Sequence, residues 1–320
     1  MFKVGLCLPF FIILSFKPIL DFVIMNENDI QVNSWQAWLL AARPKTLTGA
    51  AVPVIIALAL AYADLGKLHP VPAILCLFFA LLMQIDANFI NDYYDFRKGT
   101  DDEQRLGPLR VCARGWVTLP AMKRAILITT FVACAIGIPL IGYGGWSMVI
   151  VGLLCVLFCF LYTTHLSYLG LGDVLVLVFF GLVPVCATYY LQTTVLSMEC
   201  VLASFACGLV IDTLLIVNNY RDRDNDLRTG KMTLVTRIGA NATEKLYLVL
   251  GVAAILIGVV FAVNGRWWAF LLPFVYLALH TVCYKRMKEM NHGKQLNVIL
   301  GENARNMLIY GILVSVGLIL

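Results

Sequence analysis

Charge is scarce in this sequence. Only 13% of its 320 residues are Asp, Glu, Lys or Arg, about half the 25% or so of a soluble domain. Hydrophobic residues make up 61%, and the mean hydropathy is +0.85. So few charges cannot wet a globule of this size, which excludes a soluble enzyme or binding module. Cysteines at metal or redox spacing are also missing. Among ten cysteines there is no CxxC, and Cys76, Cys134, Cys155, Cys159, Cys186 and Cys207 lie inside apolar runs, where they read as small hydrophobes. No small-residue cleavage site follows the apolar stretch after Lys3. Residues 1–25 are therefore expected to be an extension: an extra hydrophobic segment, or a leader upstream of a true start at Met25.

What the sequence does have is long apolar runs between short charged loops. A run of about 18 apolar residues is long enough to cross a bilayer as a helix. Such runs predict about nine spans, at 45–63, 71–91, 122–142, 147–163, 172–191, 200–219, 245–263, 267–284 and 303–320. The expected fold class is all-α, a polytopic transmembrane helical bundle with residues 35–320 as one domain. Lys and Arg favour the cytoplasmic side of short loops. Setting aside Lys3 and Lys17, alternate loops divide these residues 20 against 2, with only Lys67 and Arg266 in the minority. The net charge of +5 follows from this topology and requires no nucleic acid.

The second and sixth runs both end in acids and amides. The first ending carries Asn88, Asn91, Asp92, Asp95, Gly99 and Asp101; the other carries Asn218, Asn219, Asp222 and Asp226. Aligning Asn91 with Asn218 sets Asp95 on Asp222 at an offset of 127 residues. Four spans separate the clusters, so they face the same side, as expected of two parallel repeats. Helical spacing stacks 88, 91, 92 and 95 together, and likewise 219, 222 and 226. Stacked carboxylates repel unless a cation sits between them. Asp and Asn oxygens suit Mg²⁺, which takes one or two carboxylates and completes its shell with phosphate and water. A calcium EF-hand is excluded, because Leu227 and Thr233 stand where Gly and a bidentate Glu are needed. The competing structural reading is a pair of solvated caps.

These stretches carry a family likeness. NDYYDFRKGTDDEQRLGPLR (91–110), NNYRDRDNDLRTGKMTLVTRIG (218–239), ARPKTL (42–47) and YLGLGD (168–173) together resemble the UbiA-type intramembrane prenyltransferases. Within them the pattern is most similar to the branch whose aromatic acceptor is 1,4-dihydroxy-2-naphthoate. Many members place a third acid where this chain has Gly99, so Asp101 or Asp102 is its nearest substitute. The resemblance implies transfer of a polyprenyl group from polyprenyl diphosphate to that acceptor, with loss of CO₂, at two Mg²⁺ ions in the cytoplasmic membrane. It assigns Asn91, Asp92, Asp95, Asp101, Asp222 and Asp226 to metal, with Asn88 and Asn219 in support. Arg43, Lys45, Lys98 and Lys231 become diphosphate clamps, although each also serves as a topology signal. A dry pocket with aromatic faces protects an allylic cation, and Tyr93, Tyr94, Tyr162, Tyr189 and Tyr190 are candidate walls. Asp173 either caps a helix or binds the acceptor, and Asp212 shares the cavity-facing side of its helix. Asp86 points away from Asp92. A long isoprenoid gains about 0.8 kcal/mol per buried CH₂. Its tail therefore stays in the bilayer, and the cavity is expected to open sideways to lipid. The rival readings are another aromatic acceptor, an ion-coupled transporter and a structural scaffold.

Overall fold

The computed structural model describes residues 30–99, 106–107 and 110–320. The 1–25 extension, Asp101 and Asp102 lie outside them.

Among the described residues, nine long helices account for the nine apolar runs. They are α1 (Trp35–Leu65), α2 (Pro70–Lys98), α3 (Leu119–Gly144), α4 (Ser147–Leu166), α5 (Gly172–Thr193), α6 (Met198–Arg228), α7 (Ala240–Val263), α8 (Trp267–Met290) and α9 (Leu296–Ile319). The first eight are long and apolar enough to cross a membrane. Helix α9 has the length of a span at 24 residues, but Glu302, Asn303, Arg305 and Asn306 make its first half polar.

Local chemistry sets the ends. Ser197 Oγ accepts from the Cys200 amide at 3.1 Å and starts α6, as an N-cap should. Pro70 opens α2, where its missing N–H costs nothing, and Gly99 closes it in the left-handed conformation at φ 70°. Helix α1 breaks at Arg43, which holds φ 49° before Pro44. That break sets ARPKTL against Asn88 and Asp92 of α2.

Two helices outrun their apolar sequence. The runs at 71–91 and 200–219 continue as helix to Lys98 and Arg228. At 1.5 Å per residue these helices are about 44 and 46 Å long, against roughly 30 Å of hydrocarbon. The acid clusters are thus the last turns of rods that project past the apolar slab.

The repeat is visible in the helix boundaries. Helices α2 and α6 start 128 residues apart and end 130 apart, close to the offset of 127. The order α1–α2–α3–α4 recurs as α5–α6–α7–α8, and α9 packs along α1 as an addition. Helices α1 and α6 are the most enclosed, whereas α3 and α4 expose apolar side chains such as Phe131, Ile150 and Leu153. Such a surface suits lipid.

Helices α5 and α6 cross closely where Gly181 meets Gly208. A Cβ on Gly181 would stand 2.7 Å from the Ser204 carbonyl oxygen and 2.8 Å from Gly208 Cα. Glycine is required there because backbone occupies the space.

Candidate active site

The last turns of α2 carry two neighbouring stripes of polar side chains, which corrects the single ligand face expected from spacing. Asn88 and Asp92, 3% and 1% exposed, belong to the first stripe. Asn88 Nδ2 donates to the Ala42 carbonyl at 2.9 Å and to Thr46 Oγ1 at 3.0 Å. Asp92 accepts from the amides of Cys112 at 2.9 Å and Val111 at 3.4 Å, and from Arg43 Nη2 at 3.3 Å. Its carboxylate faces chain, not a cavity.

The second stripe faces α4. Thr163 Oγ1 donates to Asn91 Oδ1, and Arg110 Nη2 donates to Asp95 at 2.8 Å. Lys98 Nζ donates to the Thr164 carbonyl at 2.7 Å and lies 4.1 Å from the centre of the Tyr168 ring. Lys45 is exposed one turn beyond Ala42.

On α6, Arg221 organises the second cluster. Its fully buried guanidinium donates to Asp222 through Nε at 2.8 Å and Nη2 at 2.5 Å. It also reaches Asn218 and Asn297, both at 2.8 Å. Asn297 Nδ2 then donates to the Leu106 carbonyl at 2.8 Å, which ties the α2–α3 connection to α9. Asp226 pairs with Lys231 at 3.7 Å.

Between these clusters lies a narrow cleft lined by Tyr162, Ser167, Gly170, Gly172, Asp173, Asn219, Lys231 and Thr233. A π-helical turn at Tyr162–Leu166 ends α4 and aims Tyr162 inward, a distortion common at functional sites. The YLGLGD loop closes one wall. Gly170 holds φ 76°, and a Cβ there would lie 2.7 Å from the Met232 carbonyl oxygen, so only glycine lets the loops before α5 and after α6 meet. The Met232 amide donates to the Tyr168 carbonyl at 3.2 Å, and Arg237 Nη2 donates to that of Leu169 at 2.9 Å.

The Tyr162 turn is where the two halves converge. Tyr162 lies within electrostatic range of Asp95, Asp173, Asp212 and Asp226, and Lys98 within range of Asp95 and Lys231. Of the residues expected from sequence, Tyr162, Asp173, Asn219 and Lys231 line the cleft. Asp95, Lys98 and Asp226 border it, while Asp222 and Asn91 sit beside it in hydrogen-bonded pairs. Arg43, Asn88 and Asp92 are joined to one another's surroundings on the far side of α2. Tyr189 is removed from the walls altogether, because its hydroxyl donates to Asp64 at 2.5 Å at the opposite membrane end; Tyr190 follows it in the same turn. Asp86 accepts from Thr130 on α3 at 2.6 Å.

Sequence reasoning treated Arg110 and Arg221 as topology signals and missed Thr163 and Asn297. Both arginines stand inside the motif stretches, but only the folded helix crossings bury them. Thr163 and Asn297 carry no sequence signal of their own.

Among the described residues, no three His, Cys, Asp or Glu side chains form a ready-made metal cage. The donor set still fits Mg²⁺. This ion needs only one or two protein carboxylates when phosphate oxygens and water complete its shell, and Asp95, Asp222 and Asp226 supply hard oxygens at the cleft's rim.

Such a bundle, with acid-tipped helices from two repeats meeting at one end, defines a multi-pass integral membrane protein. The chain belongs to the UbiA prenyltransferase family, whose model matches residues 50–305, and it is a prenyltransferase. It is 37% identical over 255 residues to 1,4-dihydroxy-2-naphthoate octaprenyltransferase from Escherichia coli (strain K12), covering 76% of this chain and 82% of that one. Its fold is shared with the apo structure of a UbiA homolog from Aeropyrum pernix K1, at a TM-score of 0.65 and 14% identity over 86% of this chain and 96% of that one. It is also shared with a UbiA homolog from Archaeoglobus fulgidus bound to GPP and Mg²⁺, at a TM-score of 0.58 and 14% identity over 87% and 99%. Family membership removes the transporter and scaffold readings.

Proposed function

We propose that this prenyltransferase moves a polyprenyl group from polyprenyl diphosphate to 1,4-dihydroxy-2-naphthoate, with release of diphosphate and CO₂, giving demethylmenaquinone. The observation that carries the acceptor is the 37% identity to an enzyme named for that acceptor. The basic loops and acid clusters share one side, and the Lys and Arg asymmetry supports a cytoplasmic orientation for it in the cytoplasmic membrane.

The geometry suits this reaction. The donor's tail stays in lipid while its diphosphate reaches the projecting ends of α2 and α6. Asp95, Asp222 and Asp226, with Asn91 and Asn219 beside them, would hold Mg²⁺, the ion found with GPP in the Archaeoglobus fulgidus homolog. When bound, the metal offsets the negative charge that builds on the departing diphosphate. Lys98 and Lys231 flank the cleft and can grip phosphate oxygens as point charges. Asp92 is assigned instead to fixing the 110–112 segment, since its side chain is 1% exposed and enclosed by that segment and Arg43, whereas Asp222 beside its Arg221 pair stays 17% exposed. Tyr162 presents its ring at the centre, where an aromatic face stabilises a developing allylic cation.

The test uses purified protein in detergent with labelled polyprenyl diphosphate and either 1,4-dihydroxy-2-naphthoate, homogentisate or 4-hydroxybenzoate. Mg²⁺-dependent prenylation of the naphthoate with release of CO₂ is expected, and EDTA should abolish it. Prenylation of 4-hydroxybenzoate with the naphthoate left untouched would overturn the acceptor assignment.

A further inference from the structure

Two carboxyl groups beneath the cleft are left over by this account. Asp173 starts α5 and lines the cleft; Asp212 lies seven residues before Asn219 on α6, on the same helix face. They are 7% and 3% exposed. Each has one oxygen, Oδ1, that is buried without a hydrogen-bond partner among the described residues. The two acids interact electrostatically with each other. A Cβ on Gly172 would stand 3.3 Å from Leu215 Cδ2, so the start of α5 lies against α6 within one turn of Asp212. A buried polar atom left unsatisfied costs about 1–3 kcal/mol, and two such atoms on adjacent acids call for a ligand.

The internal repeat supplies a control within the same chain. At the offset of 127, Asp173 corresponds to Thr46 and Asp212 to Ile85. In the first half this position is a closed network. Gln84 Nε2 donates to Thr46 Oγ1 and Asn88 Oδ1, both at 3.3 Å, and Asn88 Nδ2 donates to Thr46 and the Ala42 carbonyl. In the second half Thr46 gives way to Asp173, Gln84 to Ile211 and Asn88 to Leu215, so the neutral network is gone, and both Asp173 and Asp212 end in a free acceptor atom. The fold does not need acids here, because its other half is built without them.

We propose that Asp173 and Asp212 form a carboxyl pair sharing one proton, which binds a ring hydroxyl of the aromatic acceptor and takes up that hydroxyl's proton during alkylation. This rests on the acceptor reading given above. Two carboxylates at close range cannot both ionise, so one proton bridges them and one lone pair remains to receive another. The acceptor's O–H bond breaks, its proton goes to the pair, and the O–H electron pair enters the ring. The ring carbon bonds to the allylic carbon as the C–O pair leaves with diphosphate. When CO₂ departs, the C–C pair restores aromaticity and the phenolic oxygen recovers its proton, so the pair ends as it began. Tyr162 on α4 lies within electrostatic range of both acids and also of Asp95 on α2 and Asp226 on α6, whose partner Lys231 stands in the loop beyond α6.

The experiment compares wild type with Asp173→Asn, Asp212→Asn and Asp212→Glu in detergent. It measures product formation against naphthoate concentration and pH, and geranyl diphosphate affinity with Mg²⁺ by calorimetry. Wild-type turnover of the naphthoate reports on the acceptor assignment; if only another phenol is alkylated, that assignment fails and the variants are scored on that phenol. The ratio of variant to wild type reports on the pair. A loss in kcat on the order of 10²–10⁴ is expected for either Asn variant, as for a lost proton acceptor. Donor affinity should stay within about threefold, and Asp212→Glu should restore part of the rate. Wild-type kcat/KM should fall toward low pH, and the Asn variants should lose that fall. Wild-type kcat/KM and an unchanged pH profile in both Asn variants would overturn the proposal. So would a loss of donor affinity matching the loss of rate in variants that unfold at the wild-type temperature.

Discussion

Adding one methyl group at Gly181 tests whether the α5–α6 crossing sets the spacing of the site. The new Cβ would lie 2.7 Å from the Ser204 carbonyl oxygen, 2.8 Å from Gly208 Cα and 3.1 Å from Gly208 N. All three are backbone atoms of α6, so no side chain can swing aside. The helices must separate by about 0.5–1 Å, and overpacking of this kind costs roughly 1–3 kcal/mol. Alanine returns up to about 1 kcal/mol in helix propensity over glycine. The net expectation for Gly181→Ala is a loss of about 1–2 kcal/mol. Gly208→Ala differs in an instructive way. Its Cβ would meet the Leu177 side chain first, at 3.1 Å, and backbone only at 3.3 Å, so a shift of a few tenths of an ångström suffices and stability should be nearly unchanged. A displacement near 1 Å at a reaction centre can cost about 10²-fold in rate, so Gly181→Ala should also lower kcat by about 10–100-fold. The assay is thermal unfolding in detergent followed by tryptophan fluorescence, with turnover measured on the same samples. Coupling between the sites should make the double variant worse than additive. If Gly181→Ala matches Gly208→Ala in both stability and turnover, the two helices do not touch at this crossing and the argument fails.

Two further outcomes follow. Asp92→Ala strips the Cys112 and Val111 amides and the Arg43 guanidinium of their acceptor, and should cost about 2–4 kcal/mol by the unmade-bond penalty; a drop in Tm under Mg²⁺-free conditions checks it, and an unchanged Tm would return Asp92 to the metal. Arg266→Ala leaves Asp64 and Glu199 without the cation that joins them, and because all three are partly exposed the expected loss is only about 1–2 kcal/mol, read as a lower Tm with donor affinity intact.

Much of this architecture was legible in the sequence because a bilayer enforces a coarse code. Apolar length located every long helix, and the 127-residue offset between Asp95 and Asp222 marks the repeat. Apolarity could not show where α2 and α6 end, since their last turns are polar helix held by capping and by Arg110 and Arg221. Periodicity placed Asn88, Asn91, Asp92 and Asp95 near one another. It could not separate the stripe facing the 110–112 segment from the one facing α4, because that depends on which neighbour each stripe meets. Tyr189 was misplaced for a simpler reason: aromatic chemistry qualifies a residue as a wall, but only depth within the span decides which end it serves. The orphaned oxygens of Asp173 and Asp212 had no sequence signature at all.

Arg266 gathers Asp64 from the end of α1 and Glu199, at 2.5 Å, from the start of α6. Glu199 and Asp226 are separated by about 40 Å of straight rod at 1.5 Å per residue. With so long an arm, one degree of tilt at the knotted end sweeps the acid-bearing tip through about 0.7 Å. An ion triad on the outer rim is thereby a goniometer stop for chemistry on the inner one.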